Sequence, residues 1–169
     1  MINPAYFIIR NISRPNLEIC NQIAAAVYGS DELNDFTEKY VPQRGRVPEP
    51  KVQNFANFLN NGVKELWGII DSENLDPVSY IGFIVLADNP HRNSIGFGIN
   101  KNFSRKNKAK YALSFALFEM QSKYKGQTIY AHTSKDNLPA QSLLASVGFK
   151  YAGEEIDFMG AHFKYEYSF

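Results

Sequence analysis

Lys135-Asp136-Asn137-Leu138-Pro139-Ala140-Gln141-Ser142-Leu143-Leu144-Ala145-Ser146-Val147-Gly148-Phe149 spells a helix with both ends marked and then the start of a strand. Asp136 or Asn137 suits the amino end of a helix, because a short side-chain oxygen can accept from a backbone N–H left without an intrahelical partner. Pro139 then falls in the first turn, where its missing N–H costs little. Ala140, Leu143, Leu144 and Val147 recur at the i, i+3, i+4, i+7 spacing of one apolar helix face. Gly148 can enter the left-handed region and stop the helix. Phe149 opens a new extended run, so the segment predicts a capped helix followed by a strand.

Working outward, each neighbouring segment has its own period. Upstream, Thr128 to Thr133 reads as a strand and Lys108 to Tyr124 as a long helix, burying Ala112, Leu113, Phe115, Ala116, Leu117 and Met120 and ending at Gly126. Ser94 to Asn100 is a strand containing Gly96 and Gly98, and Val78 to Leu86 is a nearly continuous apolar run, expected to be a buried strand. Leu66 to Ile70 precedes it as another strand, with Ser72 to Asp76 expected as a polar turn. Val52, Phe55, Ala56 and Leu59 mark a helix ended by Asn61-Gly62. The span 31–50 holds four prolines and glycines and is expected to be mainly loop, with one helical turn near Leu33 to Tyr40. Pro15 and Asn16 open a helix whose apolar face is Leu17, Ile19, Cys20, Ile23, Ala24 and Val27, and Tyr6 to Ile9 forms the first strand. Downstream, Lys150 to Ile156 and His162 to Tyr167 pair as a closing hairpin around Met159-Gly160. The order is β-α-α-β-β-β-α-β-α-β-β, which predicts one α/β (α+β) domain over residues 1–169, a mixed sheet of about seven strands flanked by about four helices.

Composition narrows the function classes. The chain has 169 residues, enough for one sizeable core, and its 44% hydrophobic and 14% aromatic content excludes a disordered chain. A net charge of +1 gives no overall nucleic-acid signature. Cys20 is the single cysteine, so no internal disulfide forms; it reads as a small core residue, and no metal site is expected. No apolar run nears the roughly 18 residues of a membrane span, and no basic stretch followed by an apolar one opens the chain. A cytoplasmic protein is the expectation.

The pattern Asn137-x-x-Ala140-x-x-Leu143-Leu144-x-x-x-Gly148-Phe149 resembles the carboxy-terminal motif of the GNAT acyltransferase superfamily, and the element order is similar to that of the same family. Within it, the chain looks most like the branch that acetylates ribosomal proteins, protein amino termini and small amines. The resemblance implies an N-acetyltransferase that uses acetyl-CoA as donor. It also implies an amine acceptor: a protein amino terminus, a lysine or a small amine.

By that resemblance the donor's pyrophosphate lies on the loop between the fourth strand and the long helix, where the first N–H groups and the positive dipole end favour an anion. Ser104-Arg105-Lys106-Asn107-Lys108-Ala109 falls on the family pattern Gln/Arg-x-x-Gly-x-Gly/Ala. Ala109 matches it. Asn107 replaces a glycine and is the next residue most tolerant of positive φ. Ser104 replaces the usual Gln or Arg, with Arg105 adjacent. Lys101, Arg105, Lys106, Lys108 and Lys110 lie within a ten-residue run that contains no acid, a local concentration suited to phosphates. A solvated basic loop, or a patch for another anion such as RNA, is the competing reading. The resemblance further assigns backbone groups of Ile99, Asn100 and Lys101 to the pantetheine arm and acetyl carbonyl, and gives Asn137 a role beside the cofactor in addition to capping. Gly96 and Gly98 mark either a bulge or close ligand approach, or relief of crowding beside an aromatic core.

Acyl transfer to an amine needs a base for the ammonium proton and gains from an acid near the leaving thiolate. The family's frequent glutamate near strand four is absent, since no carboxylate lies between Asp88 and Glu119. Its frequent tyrosine in the last helix is Leu144 here. His132 is the substitute base, because an imidazole's ordinary pKa of about 6.5 suits the task; a hydrogen-bonded structural histidine is the alternative. Ser142 is the substitute acid, against the alternative of a solvated serine. Asp71, Glu65, Tyr130 and Tyr151 are weaker candidates, the two acids expected in solvent and the two tyrosines in the core. Arg44, Arg46, Phe36, Tyr40 and Phe55 border the expected acceptor side. A GNAT-fold protein that binds or inhibits a partner without catalysis is the runner-up. The oligomeric state is open, a homodimer included.

Overall fold

The computed structural model describes residues 7–30, 49–75, 78–88, 92–104, 107–157 and 160–169. Arg105, Lys106, Arg44, Arg46, Phe36, Tyr40 and the expected turn at Leu33 lie outside them. Strands β1 (Phe7–Asn11), β2 (Glu65–Leu75), β3 (Val78–Ala87), β4 (Ser94–Ile99), β5 (Thr128–Ser134), β6 (Lys150–Asp157) and β7 (Gly160–Ser168) form one sheet in the order β1-β2-β3-β4-β5-β7-β6. Helices α1 (Leu17–Tyr28), α2 (Glu49–Asn61), α3 (Lys108–Met120) and α4 (Leu138–Ser146) flank it. The β4–β5 pair is parallel and every other pair antiparallel, so the sheet is mixed and the expected α/β class holds.

Two apolar layers sit on the two faces. Cys20, Ile23, Ala24 and Val27 of α1 and Ala56 and Leu59 of α2 pack on Phe83 and Val85. Ala112, Leu113, Ala116, Leu117 and Met120 of α3 pack on the other face against Ile84, Leu86, Ile95, Ile129 and Ala131, with Leu144 of α4 in the same layer. Asn16 caps α1, its Oδ1 accepting from the Ile19 N–H at 2.9 Å. Cys20 is fully buried, and burial pushes its thiol pKa up, which fits a core residue.

Several expectations are corrected. The polar run at Ser72 is strand through Leu75, which pairs with Val78. An uncovered two-stranded ribbon can carry polar side chains, so its composition imitates a turn. Helix α3 ends at Met120 rather than Tyr124. Leu17 and Phe115 are exposed, although their spacing put them on apolar faces. Glu65 is not in solvent: it accepts from the Tyr124 hydroxyl at 3.0 Å and pairs with Lys123. Asp71 is buried as well, and Tyr151 is exposed rather than in the core.

Gly98 serves the core. A Cβ there would lie 2.6 Å from Phe83 Cε1, and the buried Phe83 ring is itself held 5.0 Å from Phe55. The β3–β4 register runs without a shift, so the crowding reading holds at Gly98 and the bulge does not. Gly98→Ala is expected to cost about 1–3 kcal/mol through forced repacking. An unchanged urea midpoint would refute this account.

Candidate active site

The site begins where the sheet comes apart. Among the described residues, β4 and β5 are in register only at Ser94↔Tyr130, where the Tyr130 N–H donates to the Asn93 carbonyl at 3.0 Å. Beyond that pair both strands continue, β4 to Ile99 and β5 to Ser134, without a ladder between them. The Asn100 N–H donates to the Ile81 carbonyl at 2.7 Å. In an antiparallel pair this turns the N–H and C=O groups of the even-numbered β4 residues toward β3 and those of the odd-numbered residues away from it. The backbones of Phe97 and Ile99 therefore face the gap. Of the three backbone positions expected to hold the donor, Ile99 faces it directly. Asn100 instead locks the end of β4, with its N–H on Ile81, its amide donating to the Ala26 carbonyl at 2.7 Å, and its Oδ1 accepting from the Asn102 N–H at 2.9 Å. Phe97 was missed from sequence, because which backbone groups face a gap depends on pairing register.

The loop after β4 leads into α3. Lys101–Phe103 is a single 3-10 turn closed by Ser104, whose hydroxyl donates to the Lys101 carbonyl at 2.8 Å. Asn107 heads α3 at φ +56°, the left-handed conformation expected where the family has glycine, and its side chain makes no capping bond. The first turn of α3 has no acid and carries Lys108 and Lys110. Lysines there oppose the helix dipole, an arrangement that a bound anion would offset. Lys108 is buried, its ammonium 5.2 Å from the Phe103 ring centroid. Ala109 follows within this turn.

Asn107→Gly is expected to leave stability unchanged or raised, and Asn107→Val to cost about 1–2 kcal/mol through left-handed strain. Equal denaturation midpoints for the two variants would contradict the φ assignment.

Across the gap, Ile129 and Ala131 point into the layer that holds Leu144, so Tyr130 and His132 point to the opposite face. Beyond Ser94, the β4 residues on that same face are Gly96 and Gly98, which place no side chains there. His132 Nε2 lies 3.1 Å from Glu155 Oε2, and Lys164 Nζ lies 2.7 Å from Glu155 Oε1. His162 stands edge-on to His132 with ring centroids 6.3 Å apart. The alternation of His162, Lys164 and Glu166 was the sequence signal for this polar face; Glu155 had none, because a register shift in β6 decides which face it takes.

Helix α4 begins as its sequence predicts. Asn137 Oδ1 accepts from the Ala140 N–H at 3.1 Å, Pro139 lies in the first turn, and Gly148 follows at φ +101°. Leu144 is fully buried. Ser142 is exposed on the outer side of α4, whereas His132 faces the other side of the sheet, so the fold does not bring the two together.

Residues 31–149 match the acetyltransferase (GNAT) family profile, well over half of the chain. The chain belongs to the GNAT acetyltransferase family. No curated protein matches its sequence. The fold of this GNAT protein is similar to that of the ribosomal-protein-S5-alanine acetyltransferase of Vibrio fischeri, with TM-score 0.68 and 16% identity, covering 96% of this chain and 92% of that one. It is also similar to the ribosomal L7/L12 alpha-N-protein acetyltransferase in complex with CoA, at TM-score 0.66 and 8% identity, covering 99% and 96%. A third is the spermidine N-acetyltransferase of Vibrio cholerae in complex with CoA and spermine, at TM-score 0.66 and 15% identity, covering 95% and 94%. At these identities the likeness is one of fold, and it includes the ribosomal-protein branch named from the sequence. No helix among the described residues is long and apolar enough to cross a membrane.

Proposed function

We propose that this GNAT protein transfers acetyl from acetyl-CoA to a primary amine by direct attack in a ternary complex. The observation that carries the reading is the gap between β4 and β5, flanked by a helix start with no acid, a left-handed Asn107 and two lysines. Structural neighbours holding CoA support the donor, and neighbours named for protein and spermidine acetylation support an amine acceptor. The phosphates fall to Lys108, Ala109 and the Asn107 turn, with Ser104, Arg105, Lys106 and Lys101 completing the loop. The pantetheine arm falls to the Ile99 backbone rather than to Asn100, whose N–H and side chain are held within the fold, and Asn137 is assigned beside the cofactor by the family resemblance.

His132 accepts a proton from the incoming ammonium and returns it to solvent. The amine nitrogen then bonds the acetyl carbon, the C–S bond breaks with its electron pair moving to sulfur, and the second nitrogen proton ends on the thiolate. Because Ser142 is exposed and stands apart from His132, that last transfer goes through solvent rather than through Ser142. A cytoplasmic site of action is part of the same reading, and the acceptor is a protein amino terminus, a lysine or a small amine.

Calorimetry with acetyl-CoA, followed by thiol release in the presence of peptide and polyamine acceptors, tests the proposal. Micromolar donor binding with acceptor-dependent thiol release is expected. No binding at millimolar donor would sink it. The buried Leu144, where the family often has tyrosine, favours a second reading in which a GNAT-fold protein binds a partner and turns over slowly. Partner binding that acetyl-CoA does not affect, with no thiol release, would select that reading.

A further inference from the structure

We infer that Glu155 is the positioning residue for His132, and that Lys164 sets how much of the Glu155 charge the imidazole receives. This rests on the acetyl-transfer reading with His132 as base. One carboxylate serves two partners through its two oxygens: Oε2 meets His132 Nε2 at 3.1 Å and Oε1 accepts from Lys164 Nζ at 2.7 Å. The Lys164 ammonium also sits 4.6 Å from the Tyr130 ring centroid, which fixes it from the β5 side. A hydrogen bond from Nε2–H to Glu155 places the imidazole lone pair on Nδ1, the tautomer a base needs, and holds the ring in one orientation.

The fold makes a specific provision for this contact. Strand β7 lies between β5 and β6, so Glu155 must reach His132 across it. Tyr151 pairs with Tyr165, but the next registered pair is Gly153 with Lys164, so β6 holds one extra residue at Ala152. Gly153 adopts φ +114° there. Side chains alternate faces, so one extra residue flips every later position. Without it, Glu154 would lie on the His132 face and Glu155 on the other. With it, Glu155 pairs in register with His162 beside His132, and Glu154 turns away to Lys135. The adjacent pair Lys135–Glu154 is therefore a built-in comparison, the same chemistry on the wrong face.

Among the described residues, the charged and titratable groups facing His132 include Glu155 from β6, His162 and Lys164 from β7, and Tyr130 on its own strand, with Glu166 registered opposite Tyr130. The β4 positions on that face, Ser94, Gly96 and Gly98, carry no charge. A carboxylate favours the imidazolium and a neighbouring ammonium opposes it, so the two partners push in opposite directions.

The test is the His132 ring titration by NMR together with the pH profile of kcat, in the full chain and three variants. Glu155→Gln is expected to move both the titration and the acid limb of kcat down by about one pH unit. It should also lower kcat about tenfold while the acetyl-CoA KM holds. Lys164→Met should move both upward. Glu154→Gln should move neither. A purely structural pair would instead lower stability in both Glu155→Gln and Lys164→Met without opposite shifts. An unmoved titration in Glu155→Gln, or shifts of the same sign in the two variants, overturns the assignment. A titration that moves while the kcat profile stays fixed overturns the catalytic role of Glu155 but leaves acetyl transfer intact. A wild-type chain that transfers no acetyl sinks the functional reading itself, and the titrations still decide whether the carboxylate governs the imidazole.

Discussion

His132→Ala lowers kcat about 10²–10⁴-fold, the usual worth of a positioned general base. The acetyl-CoA KM is expected to stay near its wild-type value, because the groups proposed to hold the donor belong to the start of α3 and the backbone of β4, not to the His132 face. The fold survives the change: Glu155 retains Lys164 as a partner, so no carboxylate is left unpaired when the imidazole is removed. Steady-state kinetics with a saturating amine acceptor, alongside a denaturation midpoint, checks both halves. A loss of less than tenfold would move the proton to a water chain and reduce His132 to a structural hydrogen-bonding residue.

Leu144→Ala costs about 2–5 kcal/mol, the range for emptying a buried leucine site. Leu144 is fully enclosed in a layer with Leu113, Ile129, Ala131 and Phe149. It lies where α3, α4, β5 and β6 converge, so the cavity has little freedom to collapse. Against a typical stability of about 5–15 kcal/mol this is a large fraction. The urea midpoint should fall with the m-value unchanged. A drop under about 1 kcal/mol would mean that α4 is held by its caps and not by its buried face.

The legible parts of the fold were those that local periodicity controls. Of Asp136 and Asn137, the two candidates to cap α4, Asn137 does so, and Asn107 stands at the positive φ that asparagine tolerates. The failures have two causes. Phe115 and Leu17 fit a helical apolar period yet face outward, because a helix packed on a sheet buries a narrower stripe than its hydrophobic residues span. The Ser72 run read as a turn because polar strand residues on an uncovered ribbon have the composition of one.

The site divides in the same way. The basic run from Lys101 to Lys110 and the base candidate His132 stand out in the sequence, since residue type alone carries their chemistry. The roles of Phe97, Asn100 and Glu155 do not. Hydrogen-bond alternation with β3 decides that Phe97 and Ile99 face the gap and that Asn100 does not. The extra residue at Ala152 decides that Glu155, and not its neighbour Glu154, meets His132.

Element order, family motif and the basic, acid-free start of α3 were legible in the residues alone, because caps, periods and local charge act within a few residues of one another. Only the tertiary structure decided where β4 and β5 separate and which carboxylate stands beside the histidine. Those outcomes depend on strand register, and register is set between segments far apart in the chain, where a slip of one residue exchanges the two faces of a strand.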